Sequence, residues 1–157
     1  MPDQAVIIDC QVAGISGDMF LGALLDLGAD VERVINAIEI LEEFVECKNI
    51  EVDIRDVTRK GFRAKKVDVK ADKMPKINGA ELIDVVEKCA EKIRLTDEAR
   101  LFASDAIKTL LEAEARLHGE KIGDIHLHEA GQIDTPAEII GSAMALENLG
   151  LFNSKVY

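Results

Sequence analysis

The sequence predicts an α+β domain, a small mixed sheet of a first strand plus a hairpin covered by four to five helices. Three observations predict it. A short apolar run, Ala5 to Ile8, opens the chain; a stretch of period two runs from Ile50 to Val69; most of the remainder repeats its apolar residues at helical spacing. Runs of helix set apart from a small sheet are the signature of that class. The whole chain, residues 1–157, reads as a single domain. Its length suffices to bury roughly two-thirds of the extended-chain surface without metals or disulfides.

Ala5-Val6-Ile7-Ile8 is continuous and β-branched, which suits a buried strand, with Asp9 and Cys10 at its carboxyl end. The loop Gly14-Ile15-Ser16-Gly17-Asp18 follows, then a helix through Met19, Phe20, Leu21, Leu24 and Leu25 that ends at Gly28 as its C′ residue. Asp30 caps a second helix running to Leu41. Ile50, Val52 and Ile54 alternate with charged residues, Arg59-Lys60-Gly61 turns, and Phe62, Ala64, Val67 and Val69 return; the slip in apolar phase after Ala64 predicts a bulge near Lys65-Lys66. Asn78 and Glu81 have capping-box spacing before a third helix, and Thr96 opens a fourth that stops near His118-Gly119. Thr135-Pro136-Ala137-Glu138 announces the last helix, with Thr135 as cap and Glu138 as its capping-box partner, and Ser154 to Tyr157 starts another strand.

Thirty acidic against nineteen basic residues leave a formal charge of −11, and there is no Trp among the six aromatic side chains. Such a chain lacks the electrostatic footprint and stacking platforms of a nucleic-acid binder. Cys10, Cys47 and Cys89 have no metal or redox spacing and read as reduced thiols. With no basic leader and no apolar run of roughly 20 residues, the expectation is a cytoplasmic protein without a membrane partner.

All three histidines fall within eleven positions, His118 and then His126 and His128. In an extended segment His126 and His128 project to one side, with Glu114, His118, Glu129 or Asp134 as further donors, a set suited to nickel or zinc. The alternative is that His118 complements its helix end while the others decorate a turn. The glycine loop between strand and helix lets backbone N–H groups approach a phosphate, yet it carries neither dinucleotide nor P-loop fingerprint, and Ser16 or Asp18 serves equally as a helix cap. Asp9 lies at the strand end where ligand crevices form. The hairpin residues Arg59, Lys60, Arg63, Lys65 and Lys66 make either a solvated edge or an anion-binding surface.

Three collinear blocks carry a resemblance that spans nearly the whole chain. They are Asp9-Cys10 with Gly14-Ile15-Ser16-Gly17-Asp18 and the following Met19 to Gly28; Val57-Thr58-Arg59-Lys60-Gly61; and His126-Leu127-His128-Glu129-Ala130-Gly131 with Asp134 and Gly141. Together they resemble the LarC family of nickel insertion proteins. The resemblance implies insertion of nickel into pyridinium bisthiocarboxylic acid mononucleotide, the precursor of the nickel-pincer cofactor of lactate racemase. It implies a nickel chelatase dependent on CTP and a divalent metal such as manganese. By matching positions, it implies His126, His128 and Glu129 for nickel or cofactor positioning; Asp9 and Asp134 also match and, with His118 from the spacing, are candidate further ligands. Ser16, Asp18, Arg59 and Lys60 are then the residues for the nucleotide ligand, and Asp9 and Asp18 serve the loop or a cation.

Two departures qualify what is carried over. Many members have a histidine-rich stretch where this chain has Ala71 to Ile77, which holds no histidine. Members are also much longer, so the carboxyl-terminal CTP domain is expected to be absent here, and the chain to be the amino-terminal part of the enzyme, acting with a carboxyl-terminal half or as a homo-oligomer. The competing expectation is a stand-alone, non-catalytic metal- or partner-binding module.

Overall fold

The computed structural model describes residues 5–11, 13–72, 77–125 and 133–157. Among them run β1 (Ala5–Val6), α1 (Gly17–Leu27), α2 (Val31–Glu39), β2 (Glu51–Arg59), β3 (Phe62–Lys70), α3 (Gly79–Lys92), α4 (Asp97–His118), α5 (Asp134–Asn148) and β4 (Lys155–Val156). The α+β class with five helices is as the sequence predicts. The strands form two ladders: β2 pairs antiparallel with β3, and β1 pairs in parallel with β4.

The core is organised around α5, where Pro136, Ala137 and an unbroken run from Ile140 to Ala145 are buried. A helix apolar on nearly all sides belongs inside, and α1, α2 and α4 pack around it. Small residues permit the approach: a Cβ at Gly141 would lie 2.9 Å from a Leu21 methyl and 3.0 Å from one of Ile38. Gly22 does the same for the hairpin, since a Cβ there would stand 2.5 Å from the Lys65 carbonyl oxygen. The glycine therefore sets the distance of α1 from β3.

Local signals place most helix ends. Gly28 closes α1 at φ 115°, a left-handed conformation that costs glycine little. Asp30 accepts from the Arg33 N–H at 3.2 Å, and Thr96 from the Ala99 N–H at 3.4 Å. The Asn78 and Glu81 side chains exchange capping hydrogen bonds with each other's backbone N–H at 3.0 and 2.9 Å. Lys60 and Gly61 both have positive φ, 48° and 86°, the conformation of a two-residue type I′ hairpin turn.

Three expectations need correction. The hairpin register runs one to one from Glu51↔Lys70 to Arg59↔Phe62, so there is no bulge at Lys65-Lys66. Val52, Ile54, Val67 and Val69 share the core face, and farther along that face Asp56 pairs with Lys65 at 3.0 Å. The apolar phase stops because the hairpin extends past the core, and Ala64 and Phe62 belong to its other face. Secondly, the run Ala5 to Ile8 is strand only over Ala5–Val6, and Ile7 is exposed, because no described element covers it. Thirdly, the last helix starts at Asp134, one residue before Thr135.

Candidate functional site

The first turns of α1 and α5 meet, and carboxylates gather where they do. Ser16 is the N-cap of α1 by position, and its backbone oxygen accepts from the Phe20 N–H at 2.9 Å. Its hydroxyl donates to the Asp18 carboxylate and caps no helix amide. The capping acceptor comes from α5, where Glu138 accepts from the Asp18 backbone N–H. Gly17 makes this possible, because a Cβ at that position would overlap the Glu138 carboxylate. A negative group thus sits at the positive end of α1.

Asp134 lies one turn before Glu138 on the same side of α5. Burial pushes its carboxyl above the ordinary value, and the charges of Asp18 and Asp68 push it further. Glu138 is pushed up to about 7, first by burial and then by Asp18 and Asp134, against the opposing Asp18 N–H. Asp68 differs: hydrogen bonds from Lys66, at 2.6 and 2.8 Å, and from Arg55, at 2.7 Å, hold it below the usual range. Among the described residues no ion pair reaches Asp18, Asp134 or Glu138. Burial and neighbouring negative charge thus favour the protonated forms of Asp134 and Glu138.

His126, His128 and Glu129 lie outside the described residues. The residues bracketing their segment, Ile125 and Ile133, are both core residues, and the Ile125 carbonyl accepts from the Gly79 N–H at 2.9 Å. That close approach needs glycine too, since a Cβ at position 79 would collide with the Ile122 carbonyl. Among the described residues alone, no group of three or more His, Cys, Asp or Glu is arranged to hold a metal ion.

The other predicted residues lie elsewhere. His118 ends α4 and faces Glu114 at 3.4 Å, one turn back, as a residue complementing its helix terminus would. Asp9 accepts from the Gln11 N–H at 2.9 Å in a local turn. Arg59 and Lys60 are exposed at the hairpin tip. Of the five basic hairpin residues, Arg63 pairs with Asp26, Lys65 with Asp56 and Lys66 with Asp68, so much of that positive charge is met within the protein. Glu138 was not singled out from sequence as a site residue. Its position four after Asp134, together with a glycine opening α1, is the signal that could have found it.

The carboxylates of Asp18, Asp134 and Glu138, with the histidine-bearing segment directly before α5 in sequence, are residue types that exchange protons or bind cations. Comparison with known proteins gives the family: the sequence profile of the family described as nickel insertion protein matches residues 6–157, and the chain belongs to that family. A relative from Methanothermobacter thermautotrophicus, provisionally named a nickel insertion protein, is 36% identical over 152 residues, covering 96% of this chain and 36% of its own. One from Methanopyrus kandleri, named likewise, is 38% identical over 152 residues, covering 95% and 36%. One from Akkermansia muciniphila is named pyridinium-3,5-bisthiocarboxylic acid mononucleotide nickel insertion protein and is 33% identical over 151 residues, covering 93% and 36%. The chain therefore spans about a third of the length of these relatives. No solved structure matches it.

Proposed function

We propose that this chain is the nickel-receiving part of a nickel insertion protein, and that the acceptor of the metal is pyridinium-3,5-bisthiocarboxylic acid mononucleotide, the compound named for the Akkermansia relative. The observation that carries the proposal is the meeting of Asp18, Asp134 and Glu138 at the start of α5, directly after the segment bearing His126, His128 and Glu129. Imidazole and carboxylate donors suit nickel, which is the cargo here. His126, His128 and Glu129 bind it, with Asp134 as an added ligand; Asp9 and His118, the other candidates, make the local contacts to Gln11 and Glu114. Imidazoles bind a metal only when deprotonated, so loading releases protons. Glu138, at about 7, can take one up near neutral pH.

Arg59 and Lys60 are assigned to the phosphate of the mononucleotide, as hairpin cations without an ion pair among the described residues. Ser16 and Asp18 shape the loop against that ligand. CTP and manganese, which the LarC resemblance implies, belong to the region that the longer relatives carry outside the matched part, and insertion requires that region. For placement in the cell, no helix among the described residues is long and apolar enough to cross a membrane.

Calorimetry with nickel tests the site. Micromolar or tighter binding is expected, lost in the His126→Ala, His128→Ala double variant and weakened in Asp134→Asn. No affinity, or affinity untouched by these changes, would refute the assignment.

A further inference from the structure

Apart from the carboxylate cluster, the surface concentrates its exposed apolar groups on one side. Of the ten large hydrophobic residues exposed among the described residues, seven lie in β4, in the residues directly after β1 and β4, in the glycine loop and on the adjoining face of α1. Ile7 is 78% exposed, Tyr157 71% and Leu27 64%. Next to them lies a cavity of about 360 Å³, lined by Ile7, Ile8, Ile15, Met19, Ala23 and Leu27 among others. Scattered single apolar residues are ordinary on a protein surface, but a contiguous patch opening on an apolar hollow marks a contact site.

The strands beside the patch tell what kind of contact it is. β1 and β4 pair in parallel over Ala5↔Lys155 and Val6↔Val156. The ladder is extended by the Tyr157 N–H to the Val6 oxygen and the Ile8 N–H to the Tyr157 oxygen, both 2.9 Å. Parallel strands occur almost only in sheets covered on both faces, and a two-stranded ladder is marginal by itself. Among the described residues neither strand has a second strand neighbour. The relatives offer an occupant for this face: about two-thirds of each of them lies outside the part that this chain matches.

We infer that the face formed by β1, β4, the glycine loop and α1 is the docking surface for that further region of the nickel insertion protein, which adds a strand to the open ladder and fills the cavity with apolar side chains. Strand addition uses main-chain hydrogen bonds for affinity and alternate side-chain pockets for register. The covered face includes Asp9 and Ile15, so it places the added region against the strand-to-helix loop that leads into Ser16 and Asp18. The inference rests on the family and the exposed face, and it is independent of where nickel binds.

Two measurements decide it together. Sedimentation of this chain at micromolar concentration is expected to show a monomer; a dimer that Ile7→Glu dissociates would mean that a second copy covers the face, and would overturn the proposal. In the intact Methanothermobacter relative, a photo-crosslinking benzoyl-phenylalanine is placed at the position aligned with Leu27, with the position aligned with the exposed α4 residue Leu117 as control. A cross-link from the first position, and not from the control, into the region outside the matched part is expected. Cross-links confined to the matched part, equal yields from both positions, or none, would overturn the proposal. Nickel calorimetry on the same monomeric chain reads the metal site separately, so either conclusion can fail alone.

Discussion

At the scale of single residues, Glu138 and Gly17 act as a unit. The glycine leaves room for a carboxylate that serves α1 as a cap although it is carried by α5. Folding lifts the Glu138 carboxyl from its ordinary 4.5 to about 7. Between those values the folded protein holds a proton that the unfolded chain has released. The stabilisation is therefore full below the lower value and is lost as the pH rises through the upper one. Glu138→Gln keeps an oxygen to accept the Asp18 N–H and removes the charge. Its Tm should exceed the parent's at pH 8, with the gap closing by pH 5; a gap that does not change with pH would show that Glu138 is not the titrating group. Gly17→Ala should cost about 1–3 kcal/mol, the usual range for overpacking, in a urea titration. From sequence, Glu138 had a sufficient local explanation as the capping-box partner of Thr135. Nothing in the residues near it reports that its carboxylate crosses to another helix. The histidines and Asp134 stand out by residue type and spacing, and their ligand role is a proposal made from that chemistry.

At the scale of elements, helix boundaries were legible wherever a cap is local. Asn78, Thr96, Gly28 and Gly119 each act within a turn of their own position. Asn78→Ala removes one half of a reciprocal pair and should destabilise the protein by about 1 kcal/mol with an unchanged urea m-value. A loss too small to measure would show that the box adds nothing beyond its helix. The hairpin was legible from its alternation, but its interrupted apolar phase has two explanations, a bulge or a ribbon leaving the core. Only the position of α1 over β3 distinguishes them. The first strand misled for a related reason. Ala5 to Ile8 has the composition of a buried strand, but burial depends on what covers it, and its partner β4 lies at the opposite end of the sequence.

At the scale of the whole molecule, the other four helices close around α5, whose start carries Asp134 and Glu138 while its middle forms the core. The same helix thus ties stability to the site. The acidic balance of −11 takes on a local meaning, since Asp18, Asp134 and Glu138 stand without ion pairs among the described residues while Asp68 and Asp26 are matched by hairpin cations. The central claim is the proposal that this cluster and the histidine segment preceding it in sequence form a nickel site of nitrogen and oxygen donors. X-ray absorption at the nickel edge, on the chain loaded with one equivalent of the metal, tests that claim most directly. The predicted spectrum has a nitrogen and oxygen first shell with the outer-shell scattering of imidazole, and the imidazole signal disappears in the His126→Ala, His128→Ala double variant. Sulfur ligation, or a spectrum of fully hydrated nickel unchanged by those substitutions, would contradict it.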